Sequence, residues 1–125
     1  MKDKISIYLI LIIALFGLAA VPPPPFLETF ELKGFSYTTR DIKPYSIKLK
    51  ILLGYAANPQ LKKELQARRS QIRHLVNLVL QGKKYAHVNT VSGKLKLAQD
   101  IKTYINKVLM QGKVEEVYFQ EFVIN

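Results

Sequence analysis

Tyr45 to Tyr55 reads YSIKLKILLGY. Tyr45, Ile47, Leu49, Ile51, Leu53 and Tyr55 fall on one side of this run, and Ser46, Lys48 and Lys50 on the other. Successive side chains of a strand leave opposite sides of the sheet, so this period of two predicts a β-strand with one buried face. Upstream, Asp41 to Pro44 supplies turn chemistry and Phe35 to Thr39 a second strand. The segment before it, Phe26 to Phe35 (FLETFELKGF), reads as an extended approach with a short strand near Phe30 to Leu32, interrupted at Gly34.

Downstream the period changes. Asn58 suits a helix N-cap and Pro59 the first helical position. Leu61, Leu65, Ile72, Leu75, Val76 and Val79 follow at helical spacing, with Arg68 in the gap of the stripe. The expectation is one helix ending at Gly82 in a left-handed cap, with Glu64 and Arg68 paired one turn apart. After a loop, Ser92 or Thr90 can cap a second helix, whose stripe is Leu97, Ala98, Ile101, Ile105, Val108 and Leu109 and which Gly112 ends. Val114 to Ile124 is a final strand. Strict alternation places Tyr118, Phe122 and Ile124 on one face and Val117, Phe119 and Val123 on the other. A strand apolar on both faces is either covered on both sides or part of an interface. The expected fold class is α+β, with β-β-α-α-β order and two helices against a small sheet.

The N-terminal end belongs to another environment. Ile5 to Val21 (ISIYLILIIALFGLAAV) is seventeen residues without a charge, preceded by Lys2 and Lys4. As a helix it reaches about 25 Å, slightly short of a hydrocarbon core of about 30 Å, a difference that flanking residues can absorb. The basic end places the N-terminus in the cytoplasm and the rest across the membrane. A cleaved signal peptide, with Gly17-Leu18-Ala19 as small residues near the cut, competes with an anchor. Both export the bulk of the chain, in a bacterium to the periplasm. Pro22 to Pro25 stop the helix and favour polyproline II, a stiff spacer of about 3.1 Å per residue.

Residue chemistry narrows the function classes. The 125-residue chain has no cysteine, which excludes a disulfide scaffold, a thiol nucleophile and a cysteine zinc site. It has two histidines: His74, expected to be half-buried packing in the first helix, and His87, in a loop without partners at ligand spacing. Glu115 and Glu116 adjoin at a strand start, so their side chains diverge. No catalytic constellation is seen and no cofactor or metal is expected. The formal charge is +10, and it is concentrated: twelve bases but only two acids, Glu64 and Asp100, lie between Lys62 and Lys113. Lys62, Arg69 and Arg73 share a helical face, which is either simply solvated or turned to an acidic partner such as anionic lipid, cell-wall polymer or an acidic protein. Export argues against nucleic acid, and no aromatic residues interleave with the bases for stacking.

Three stretches carry a resemblance to a known family: SIKLKILLGY (Ser46 to Tyr55), ELQARRSQIRHLVNLVL (Glu64 to Leu80) and, most specifically, GKLKLAQDIKTYINKVLMQGKVEEVYFQEFVIN (Gly93 to Asn125). In the last, a helix leads through Gly112-Lys113-Val114 into a terminal strand containing Val117-Tyr118-Phe119 and Phe122. This order resembles the flagellar basal body-associated FliL family. The resemblance implies a single-pass inner-membrane protein with a periplasmic domain of stomatin-type fold, at the flagellar motor, associated with the stator and able to form rings. It implies neither enzymatic activity nor a cofactor, and it favours a retained anchor over a cleaved signal. The family's usual cytoplasmic segment is longer than Met1 to Lys4. The expected organisation is a cytoplasmic N-terminus (1–4), a transmembrane helix (5–21), a proline-rich stalk and approach segment (22–34) and a periplasmic FliL-like domain (35–125). Phe26, Phe30, Tyr118 and Val123 are the candidate assembly or stator contacts, and Lys62, Arg69 and Arg73 the candidate basic face. The alternative is a membrane-tethered binding module using that basic face on anionic lipid or cell wall.

Overall fold

The YSIKLKILLGY run forms the middle of the sheet. In the computed structural model, which describes residues 26–125, β1 (Glu28–Thr38), β2 (Ser46–Tyr55) and β3 (Glu116–Ile124) make a three-stranded antiparallel sheet in the order β1-β2-β3. The expected cytoplasmic end (1–4), transmembrane helix (5–21) and all four prolines of the stalk (22–25) lie outside the described residues. No helix among the described residues is long and apolar enough to cross a membrane. Ile47, Leu49, Ile51, Leu53 and Tyr55 of β2 are all buried, as the alternation requires.

Both outer strands depart from the expected alternation. β1 is one continuous strand, and Gly34 does not interrupt it. Its register against β2 shifts between Glu31 and Lys33, and Lys33 takes a positive φ of 70°. Leu32 is therefore an extra residue in a β-bulge, which reverses the phase of everything after it. That is why Phe30 and Leu32, then Phe35 and Tyr37, can all be buried on one face. β3 does the same: Lys50 pairs with Glu121 but Ile51 with Phe119, leaving Gln120 as the extra residue. Val117, Phe119, Phe122 and Ile124 thus turn toward the helices, and Tyr118 and Val123 away from them. The grouping of Tyr118 with Phe122 and Ile124 expected from strict alternation is corrected by this bulge.

Helices cover one face of the sheet. The expected first helix is two, α1 (Pro59–Ala67) and α2 (Arg69–Gln81). The break falls at Arg68, on a turn that buries nothing apolar between Leu65 and Ile72. Asn58 caps α1, its side-chain oxygen accepting from the amides of Gln60 and Leu61 at 3.1 Å. Gly82 ends α2 in a right-handed conformation (φ −83°), not the expected left-handed one. The intervening loop contains a one-turn helix, α3 (Tyr85–Val88), before α4 (Val91–Val108). Thr90, not Ser92, caps α4 by accepting from the Gly93 amide at 3.0 Å. Gly93 is obligatory there, since a Cβ would come within 2.3 Å of the His87 carbonyl oxygen. Ile72, Val76 and Leu80 of α2 and Leu97, Ile101 and Ile105 of α4 close the core over the sheet.

Tyr45, placed with the buried face by its spacing, lies just before β2 and is partly exposed. Its ring stacks on Tyr85 with centroids 4.2 Å apart and planes at 19°. Asp41 accepts from the Tyr85 amide at 2.8 Å, tying the β1–β2 turn to α3. His74 is exposed on α2, not half-buried, because the stripe Ile72, Val76 and Leu80 takes the opposite side.

Candidate assembly surface

The basic residues of α2 are directed by the bulge they face. The Arg73 guanidinium donates to the carbonyl oxygens of Leu32 and Gly34, the latter at 3.0 Å, and its carbon lies 4.2 Å from the Phe35 ring centroid. Arg69 lies 4.6 Å over the Phe30 ring. Such cation–π contacts contribute about 0.5–2 kcal/mol each. A planar fork suits the two carbonyls that the bulge leaves at β1, which an ammonium could not bridge in this way. Arg69 and Arg73 therefore pack against β1, while Lys62 stands exposed on α1 with the neighbouring Lys63. The structure does not bring Lys62, Arg69 and Arg73 together as one solvated face.

The four apolar candidates also separate. Phe26 is fully exposed at the first described position. Phe30 is 6% exposed beneath Arg69, so its side chain is already used within the domain. Tyr118 and Val123 are 41% and 46% exposed, both on the sheet face away from the helices. Tyr118 lies across Gly54, where an added Cβ would meet its ring at 2.9 Å and Leu27 at 3.2 Å. Gly54 is the gap that lets an aromatic ring lie flat on the outer face of the sheet.

On the helix side of β3, a groove of ≈ 390 Å³ runs between this strand and α4. Val91, Leu95, Ala98, Phe119 and Phe122 give it apolar walls, with Val91 and Leu95 largely exposed. Lys94 lies 4.9 Å over the Phe122 ring. Periodicity did not reveal this groove, because Leu95 and Val91 fall off the buried stripe of α4. Their apolar character beside the Leu97 stripe was the available signal.

A second cluster holds the far end of the domain. The Glu64 carboxylate accepts from the amides of Met110 (2.8 Å) and Gln111 (2.9 Å) and from Arg68 Nε (3.0 Å). Burial pushes this carboxyl up, but the Gln111 and Met110 amides and the Arg68 guanidinium outweigh it and hold it below its ordinary range. The Asn58 side-chain amide donates to the Gln111 carbonyl at 2.9 Å, so the loop after α4 is pinned to the start of α1 from two sides. Burial without a hydrogen-bond partner pushes the Tyr37 hydroxyl up to about 12. No group of three His, Asp or Glu residues that could hold a metal occurs among the described residues. His87 accepts the Lys84 amide through Nδ1, capping α3.

The domain is thus a three-stranded sheet with one face covered by helices, an open edge at β3 and shallow grooves. The family described as "Flagellar basal body-associated protein FliL" matches residues 30–124, and the chain belongs to it. It is 34% identical over 68 residues to a protein named "Flagellar protein FliL" from Aquifex aeolicus (strain VF5). That match covers 54% of this chain and 42% of the relative, so the chain spans less than half of that relative's length. The family is one of flagellar structural or accessory proteins, placed at the basal body.

Proposed function

We propose that this protein is a non-enzymatic component of the flagellar motor, anchored in the inner membrane by Ile5 to Val21, whose periplasmic domain associates with the stator and supports its assembly or torque. Its membership of the flagellar basal body-associated family is the observation that carries this reading. Apolar side chains left exposed in groups support it, Val91 and Leu95 along one groove and Tyr118 and Val123 on one face of the sheet. An anchor holds every copy in one orientation in one plane, and oriented copies making repeated contacts close into a ring when the rotation permits. Phe26, next to the proline stalk, is then the residue of the original four nearest the membrane side of that ring. Phe30 contributes from beneath, by seating Arg69.

The test is a deletion strain swimming in viscous medium, complemented by the full chain, with stator proteins sought among those co-isolated from membranes. Reduced swimming restored by complementation, with stator co-isolation, is the expected result. Unchanged swimming and no co-isolation refute it.

A second reading, a basic module on anionic lipid or cell wall, is favoured by the exposure of Lys62, Lys63, Lys84, Lys96, Lys107 and Lys113. It requires membrane or wall association, without residues 1–21, that weakens steeply with salt. The inward packing of Arg69 and Arg73 removes two of the charges that first suggested it.

A further inference from the structure

The two edges of this sheet are built differently. β1 carries a bulge, a lysine with positive φ and an arginine fork on two of its carbonyl oxygens. These devices blunt an edge, because another strand could not use those carbonyls without displacing Arg73. β3 has a bulge of its own at Gln120, but no positive φ and no arginine on its carbonyl oxygens. Glu116–Ile124 contains no lysine, arginine or proline, and among the described residues no side chain hydrogen-bonds to its backbone. Six of the nine residues of this edge strand are apolar or aromatic, and it stands open beside an apolar groove.

The bulge decides what can pair there. Directly opposed residues of antiparallel strands lie on the same face of the sheet. On β3, Val117, Phe119, Phe122 and Ile124 face the helices, whereas Tyr118 and Val123 face outward. A second β3, laid antiparallel with its centre between Gln120 and Glu121, opposes Val117 to Ile124, Tyr118 to Val123 and Phe119 to Phe122. Every one of these pairs matches in face. Centring the pair on Gln120 instead opposes Val117 to Val123 and Tyr118 to Phe122, which face opposite ways. In a regular strand the matching register would fail, so the bulge at Gln120 makes β3 complementary to itself. Glu121 lies opposite Gln120 and one position from Glu121 of the second copy, a like-charge approach that the pairing of each with its own Lys50 at 3.6 Å offsets, and Glu116 lies opposite Asn125.

We propose that β3 pairs with β3 of a second copy of this chain, joining two three-stranded sheets into one of six strands. This deepens the assembly reading above and rests only on its claim that β3 is an assembly surface. The two-fold axis of such a pair is perpendicular to the sheet, so both chains keep one orientation in a membrane when the sheets lie parallel to it. The contact is isologous and stops at two. A ring would then be built of dimers and close through another surface.

The test uses full-length chains in native membranes, in which the absence of native cysteine leaves no background. Tyr118→Cys and Val123→Cys are co-expressed on distinguishably tagged copies and oxidised. The pairing predicts a mixed-tag disulfide dimer. Each variant alone gives none, because Tyr118 and its counterpart stand five positions apart, about 17 Å, beyond disulfide reach. Both sites are exposed, so the variants retain the fold. Absence of the mixed dimer, or equal crosslinking by either variant alone, overturns the proposal. Loss of the mixed dimer with stator co-isolation intact removes the β3 pairing alone. A mixed dimer in a strain whose swimming does not need the protein keeps the pairing and removes the motor reading.

Discussion

Leu53 is wholly buried near the C-terminal end of β2, and Lys50 is half-exposed on the other face. Leu53→Ala removes three methyl or methylene-sized contacts from a close-packed core and is expected to cost about 2–5 kcal/mol. Lys50→Ala loses only an exposed ion pair and should stay within about 0.5 kcal/mol. Thermal melts of residues 26–125 that showed equal losses would contradict the register of β2. Glu64 gives a pH-dependent counterpart. Its carboxyl is held below its ordinary range in the folded state, so the stability it contributes is fully present above the unfolded pKa of about 4.3 and is lost as pH falls through the lower folded value. Glu64→Gln should therefore lower the melting temperature at pH 7, and the gap from the parent should narrow below about pH 4. A gap constant from pH 7 to pH 3 would show that charge at Glu64 is irrelevant. The Glu64–Arg68 pair was legible from spacing of four, but its larger role was not. The amides of Met110 and Gln111 come from 46 and 47 residues away, and no local pattern encodes them.

At the scale of elements, legibility follows periodicity. β2 keeps its alternation from Ser46 to Ile51, and its inward residues were readable through Tyr55, although Gly54 on the other face is buried as well. Both helical stripes were readable because the buried positions recur each turn, though the break at Arg68 was visible only as a gap. The outer strands were not, because one extra residue in each reverses the phase, and nothing in FELKGF or YFQEF marks Leu32 or Gln120 as extra. The same blind spot misassigned the arginines. Spacing places Arg69 and Arg73 on a common side of α2, but only the bulge, by freeing two carbonyls and lifting Phe30 and Phe35 beneath them, explains why that side faces the sheet. Arg73→Ala should cost about 1–3 kcal/mol through the unsatisfied carbonyls of Leu32 and Gly34, and Arg73→Lys should recover little of it. Amide hydrogen exchange at Lys33 and Phe35 in the lysine variant is the check. Protection equal to that of the parent would mean the fork does not hold the bulge.

For the whole molecule, composition and charge excluded several chemistries, and the terminal strand carried the family. Surface assembly was suggested by apolar residues on two faces of β3, but which of them remain exposed depends on the bulge and on α4. Phe30, buried, and Tyr118, exposed, could not be distinguished by type. The N-terminal end makes its own prediction. Seventeen apolar residues behind two lysines should retain the full chain in the inner membrane. N-terminal sequencing of the membrane-extracted protein should begin at or near Met1, and a mature chain beginning at Ala20 or Val21 would replace the anchor with a cleaved signal.

β1 and β3 run in the same direction on either side of β2: Glu28 and Glu116 sit at one end, Thr38 and Ile124 at the other. The described chain therefore starts at one end of the sheet and finishes at the other. A pull between Phe26 and Asn125 acts along the strands and slides β1 and β3 past β2 in shear. The ladder bonds are then loaded together over about 30 Å, and none can be unzipped ahead of the rest. Pulled in this direction, the domain behaves as a stiff tension link between its two ends.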